Sequence, residues 1–62
     1  MEYEHVKDTV YATLDRWQKD GADVDWNDVD DLTGTLLADV EALENANWQV
    51  VRGYAAQWII DV

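Results

Sequence analysis

The sequence has no cysteine, no serine and no proline, and it carries a single histidine and only four basic residues. Each gap removes a class of explanation. Without Cys there is no disulfide framework and no thiolate for zinc or for nucleophilic attack. His5 has no second His or Cys with which to build a zinc site, which leaves it as a solvated helix residue. Without Ser, and with Thr9, Thr13, Thr33 and Thr35 far in sequence from His5, a nucleophile–base pair has no visible parts. Paired carboxylates are plentiful, but acid–base work needs a cleft that desolvates one of them, and so short a chain has little room for one. No run of about 20 apolar residues is present to span a bilayer. The opening MEYEHVKDTV lacks the charged-then-apolar order of a secretory signal. The expectation is a soluble, cytoplasmic, non-enzymatic protein with no cofactor and no catalytic residue.

The shortage of bases is the most informative gap. Fourteen acids against four bases give a net charge of −10, which repels nucleic-acid backbones and anionic membrane surfaces alike. Direct nucleic-acid or membrane binding is therefore not expected. Charge of this size can signal disorder, but 48% hydrophobic residues, with four Trp and three Tyr, supply enough apolar surface to fold. The 62 residues make one domain, 1–62, and a chain of this length buries only about 60% of its unfolded surface. Stability must come from well-packed aromatics or from self-association, so a homo-oligomer or a partner is expected.

What is present falls into three segments. From Glu2 to Lys19 the apolar residues Tyr3, Val6, Val10, Leu14 and Trp17 recur at steps of three and four, which predicts a helix with one apolar stripe. Its other face carries Asp15 and Lys19, four apart in the favourable acid-first order. Lys19 followed by Asp20-Gly21 supplies the cation and the glycine of a helix end. Asp25 is placed to cap a second helix over 26–44, in which Val29, Leu32, Leu36, Val40 and Leu43 repeat the stripe, with Trp26 and Leu37 beside it. These two stripes predict an antiparallel helical hairpin. The back of the second helix sets Gly34, Ala38 and Ala42 four apart, a row of small residues and a candidate oligomer face.

The third segment, 48–62, fits two periods. As a helix capped by Asn45 or Asn47 it places Trp48, Val51, Ala55, Trp58, Ile59 and Val62 inward and Gln49, Arg52, Gly53, Gln57 and Asp61 outward. As a β-hairpin turning at Arg52-Gly53-Tyr54 it pairs Trp48 with Trp58. The Ala55-Ala56 pair and the segregation of polar residues favour the helix. The expected fold is thus an all-α three-helix bundle built on the hairpin, closing around Trp17, Leu36, Val40 and Trp58. The alternative is α+β, two helices followed by a C-terminal β-hairpin.

The chemistry concentrates in the middle. Six of the twelve residues from Asp20 to Asp31 are Asp, and no Lys or Arg occurs between Lys19 and Arg52. Asp23, Asp25, Asn27 and Asp31 match four positions of a helix-loop-helix calcium loop, but Asp28 stands where that loop needs Gly and Gly34 where it needs Glu, so no metal site is expected. Two readings of the acidity remain. In the first, Asp28, Asp30, Asp31, Asp39, Glu41 and Glu44 spread along about 24 Å of helix, at ~1.5 Å per residue, approach the one charge per ~1.7 Å of duplex DNA. They would occupy the basic groove of a nucleic-acid-binding protein. Phage-encoded antirestriction and anti-CRISPR proteins, which this chain resembles in size and charge alone, use that strategy in the host cytoplasm. In the second, ten Asp against four Glu suit a halophilic cytosolic protein acting through homo-oligomerisation, its self-repulsion screened by concentrated salt.

Overall fold

The computed structural model describes the backbone of residues 3–61 and the side chains of residues 5–61. The elements in order are α1 (Tyr3–Asp20), α2 (Val29–Asp39), a 3-10 turn (Glu41–Leu43) and α3 (Trp48–Asp61), with no strand among the described residues. The chain is therefore a small all-α three-helix bundle, and the β-hairpin alternative for 48–62 falls. Expectations for Glu2, the Tyr3 side chain and Val62 lie outside the described residues.

Helix α1 follows its periodicity. Val10 and Leu14 are fully buried, with Val6 and Trp17 half-buried at the stripe's margins. The helix ends where Gly21 takes a positive φ of 72°. There the N–H of Ala22 returns to the carbonyl of Trp17 at 2.9 Å and that of Gly21 to Gln18 at 3.4 Å. This double bond pattern satisfies carbonyls that a helix end leaves free, and the left-handed residue it requires is easiest for Gly. The expected Asp15–Lys19 ion pair is not made; Asp15 binds elsewhere, as described below.

Helix α2 is shorter than its apolar pattern predicts, at both ends. It starts at Val29, with the Asp28 carboxylate accepting the N–H of Asp31 at 3.1 Å. Asp25 instead accepts the N–H of Asn27 at 3.0 Å in a local turn. Both aspartates are competent caps, and packing chooses between them, because the Trp26 ring is stacked on Trp58 and holds Trp26 in the turn. At the other end α2 stops at Asp39. Val40 is extended (φ −102°, ψ 105°), and its N–H closes the last turn onto Leu36 at 2.9 Å. The 3-10 turn that follows drives Leu43 into the core, where it is 1% exposed. A continued helix would gain no cation for its C-terminal dipole, since Asp39, Glu41 and Glu44 are the charges there.

Helix α3 is capped by Asn47, whose side-chain oxygen accepts the N–H groups of Gln49 at 2.8 Å and Val50 at 3.3 Å. Its inner face, Val51, Ala55 and Trp58, is buried. Principal helix interfaces are those of α3 with α1 and with α2, so the two helices of the expected hairpin are joined chiefly through α3. Ala55, with the smallest side chain in the core, lets α3 lie close between them. Leu32 and Leu36 complete the core from α2. Of the four residues expected to close it, Leu36 and Trp58 are buried, while Trp17 and Val40 sit half-buried at its edge. Trp48, expected inward, is 43% exposed.

Candidate acidic interface

Between Gly21 and Asn47 the chain carries eight carboxylates and no base. Asp23, Asp25, Asp28, Asp30, Asp31, Asp39, Glu41 and Glu44 are all exposed. Their supporting segment is held in place from beneath. The Trp26 and Trp58 rings stack with centroids 5.3 Å apart and planes at 29°. The Trp58 indole N–H donates to the Asp15 carboxylate of α1 at 2.9 Å. One indole thus ties α1, α3 and the acidic segment together, with a charge-assisted hydrogen bond on one side and aromatic packing on the other. Val24 adds a second half-buried anchor.

The carboxylates fall into two groups rather than along one rod. Around the start of α2 stand Asp23, Asp25, Asp28, Asp30 and Asp31; Asp39 is its last residue, and Glu41 and Glu44 stand past its end. Because the helix breaks at Val40, Glu41 and Glu44 ride on the 3-10 turn and not on a continuous helix of about 24 Å. Within α2 the stretch from Asp31 to Asp39 separates the groups by about 12 Å at ~1.5 Å per residue.

The two groups differ in what they do for the fold. Asp28 caps the helix, and Asp30 and Asp31 lie in its first turn, where the helix dipole favours anions. Asp30 also receives the Arg52 guanidinium across from α3, an ion pair whose side chains are 47% and 67% exposed. Such a pair contributes only about 0–1 kcal/mol. Asp39, Glu41 and Glu44 have no such partners: Asp39 ends α2, which has no base in its last turn, while Glu41 opens the 3-10 turn and Glu44 closes it. Asp23 and Asp25, which the candidate face did not include, belong with the first group. The density of Asp from 20 to 31 was the signal for them.

The candidate small-residue row is not continuous. Gly34 lies under the Trp48 ring, whose carbons are 3.9 Å from where a Cβ would be. Ala38 is exposed on α2, and Ala42 lies in the 3-10 turn beyond its end. Among the described residues no group of three or more His, Cys, Asp or Glu side chains is arranged to hold a metal ion. No helix there is long and apolar enough to cross a membrane. A separate open groove of about 350 Å³ between α1 and α3 is lined by Lys7, Tyr11, Tyr54, Gln49, Gln57, Val50 and Gly53, with the Lys7 ammonium 5.5 Å from the centre of the Tyr11 ring. Comparison with family models, curated proteins and solved structures finds no match, so the meaning of these surfaces rests on their own geometry.

Proposed function

We propose that this protein is a non-enzymatic acidic binding module. Its exposed carboxylates from Asp23 to Glu44 engage the basic groove of a nucleic-acid-binding protein in place of nucleic acid. The observation that carries this reading is the placement of Asp39, Glu41 and Glu44. Asp39 at the C-terminus of α2, with no base in the last turn, costs stability, and none of the three carboxylates has a side-chain hydrogen bond or ion pair within the described residues to hold it for the fold's sake. Carboxylates kept where the fold is better without them are consistent with a demand from outside the fold. Together with the five at the other end of α2 they present two anionic patches, as the two edges of a nucleic-acid groove would. Such an interface forms fast and weakens as salt screens it. The setting we assign is the cytoplasm, that of a host if the chain is phage-encoded, with a basic nucleic-acid-binding protein as partner.

The test is displacement. Proteins retained on an immobilised duplex are challenged with the wild-type chain, and with a variant carrying Asp39→Asn, Glu41→Gln and Glu44→Gln, at low and high salt. The expected result is selective release of a basic protein by the wild type at low salt, lost in the variant, which remains folded. Release of nothing, or equal release by both chains, overturns the reading. The salt-adapted alternative predicts a different outcome: wild-type stability that climbs steeply with salt while displacement is absent throughout.

A further inference from the structure

We propose that the outer face of α3 is the contact surface for a second copy of this chain, the two helices crossing antiparallel about Gly53. Gly53 lies near the middle of α3, is exposed, and has nothing within 4 Å of the position a Cβ would take. It does not adopt a positive φ. Neither packing nor backbone conformation within the chain calls for glycine here, although glycine weakens a helix interior more than any residue but proline. A close approach by another backbone is what a bare helix position provides for. Gly34 differs, because Trp48 of the same chain already lies over it.

The surroundings of Gly53 say what approaches. At 3.6 residues per turn, Gln49, Val50, Gly53, Ala56, Gln57 and Ile60 lie on the side of α3 opposite Val51, Ala55 and Trp58. Ile60, 75% exposed, is the barest large apolar residue described. Among the described residues no carboxylate lies on this face of α3. Asp61 at its edge accepts the Gln57 amide at 3.2 Å, and the adjoining groove brings Lys7, Tyr11 and Tyr54. Two chains of net charge −10 can meet only where carboxylates are absent, which singles out this surface. A basic partner would instead be drawn to the segment from Asp23 to Glu44.

The face is also complementary to itself. Antiparallel pairing about Gly53 sets Gln49 opposite Gln57 of the second copy and Val50 opposite its Ala56, and two-fold symmetry repeats each pair. Gln57 uses its N–H on Asp61, which leaves its oxygen to accept from Gln49 of the second copy. Pairing about Gly53 overlaps residues 48–58 of the two helices, about 16 Å at ~1.5 Å per residue, so the interface is small and the association weak. It strengthens with salt as the charge is screened.

Analytical ultracentrifugation from about 20 µM to about 1 mM chain tests this range of weak association. It is run near 0.1 M and near 1 M salt, where the Debye lengths are about 10 Å and 3 Å. The wild type should move toward the mass of two chains, further at high salt. Gly53→Glu should remain monomeric with an unchanged helical circular dichroism spectrum. A double variant Gln49→Lys, Gln57→Lys should also be monomeric, whereas Gln49→Lys with Gln57→Glu should dimerise, since each Lys then faces a Glu. A wild type that is monomeric at every concentration, a dimer indifferent to Gly53→Glu, or equal behaviour of the two double variants overturns the proposal.

Discussion

The two ends of α2 carry the same kind of side chain under opposite electrostatic conditions. At the N-terminal end, Asp28, Asp30 and Asp31 cap the helix, complement its dipole and meet Arg52. At the C-terminal end, Asp39 meets a dipole of its own sign with no base in the last turn, and Glu41 and Glu44 follow on the 3-10 turn without an ion-pair partner. The same contrast runs through the whole molecule. Helix α1 sets Lys7, Arg16 and Lys19 against its four acids and α3 sets Arg52 against Asp61, while the segment from 21 to 47 has eight acids and no base. The acids themselves are spread along the chain, but the uncompensated charge is concentrated in this one segment, and the proposed interface rests on that unevenness.

The largest test of this contrast is to remove what holds both ends. Leu36 is fully buried beneath α2, and Leu36→Ala should cost about 2–5 kcal/mol, enough to unfold a domain of this size in a denaturant titration. Next in effect is Trp26→Ala, which frees the acidic segment from Trp58. A half-buried indole should be worth about 2 kcal/mol, below the range for a full core Trp. Amide hydrogen exchange should show protection lost first at residues 29–32, where α2 starts, and equal loss along α2 and α3 would mean that Trp26 is not a local anchor.

Smaller effects sharpen the comparison itself. Asp28→Ala should destabilise by about 1 kcal/mol through loss of the cap, while Asp39→Asn should stabilise by about 0.3–1 kcal/mol. Opposite signs in thermal or urea melts at low salt are the outcome that supports the contrast, and equal signs would dissolve it. Smallest is Arg52→Gln, which removes the cross-helix pair with Asp30 and should change stability by under about 1 kcal/mol, less again at high salt.

Much of the architecture was legible in the sequence because it follows from period and capping. Val10 and Leu14 in α1, Leu32 and Leu36 in α2, and Val51, Ala55 and Trp58 in α3 sit on the faces their spacing predicts. Gly21 ends α1 because the left-handed conformation needed there is a property of glycine itself. The acidic site was legible as a density of Asp but not as a shape. Residues 26–44 carry an unbroken helical stripe, and nothing local distinguishes Asp25 from Asp28 as a cap or marks Val40 as a break.

Local chemistry by itself determined that the first two segments are helical and the middle is acidic, because helix period, turn preference and charge are short-range properties of the residues. Only the tertiary structure decided where α2 begins and ends, which acids support the fold, and which glycine lies open. Stacking of Trp26 on Trp58 draws the start of α2 to Val29, and the turn at Val40 delivers Leu43 to the core from a 3-10 turn instead of from a continued helix. The bond from Trp58 to Asp15 takes Asp15 away from Lys19, and Trp48 covers Gly34 while Gly53 stays bare. Each of these outcomes depends on a contact between side chains far apart in sequence, whose energy exceeds the small differences among competing caps, ion pairs and helix lengths.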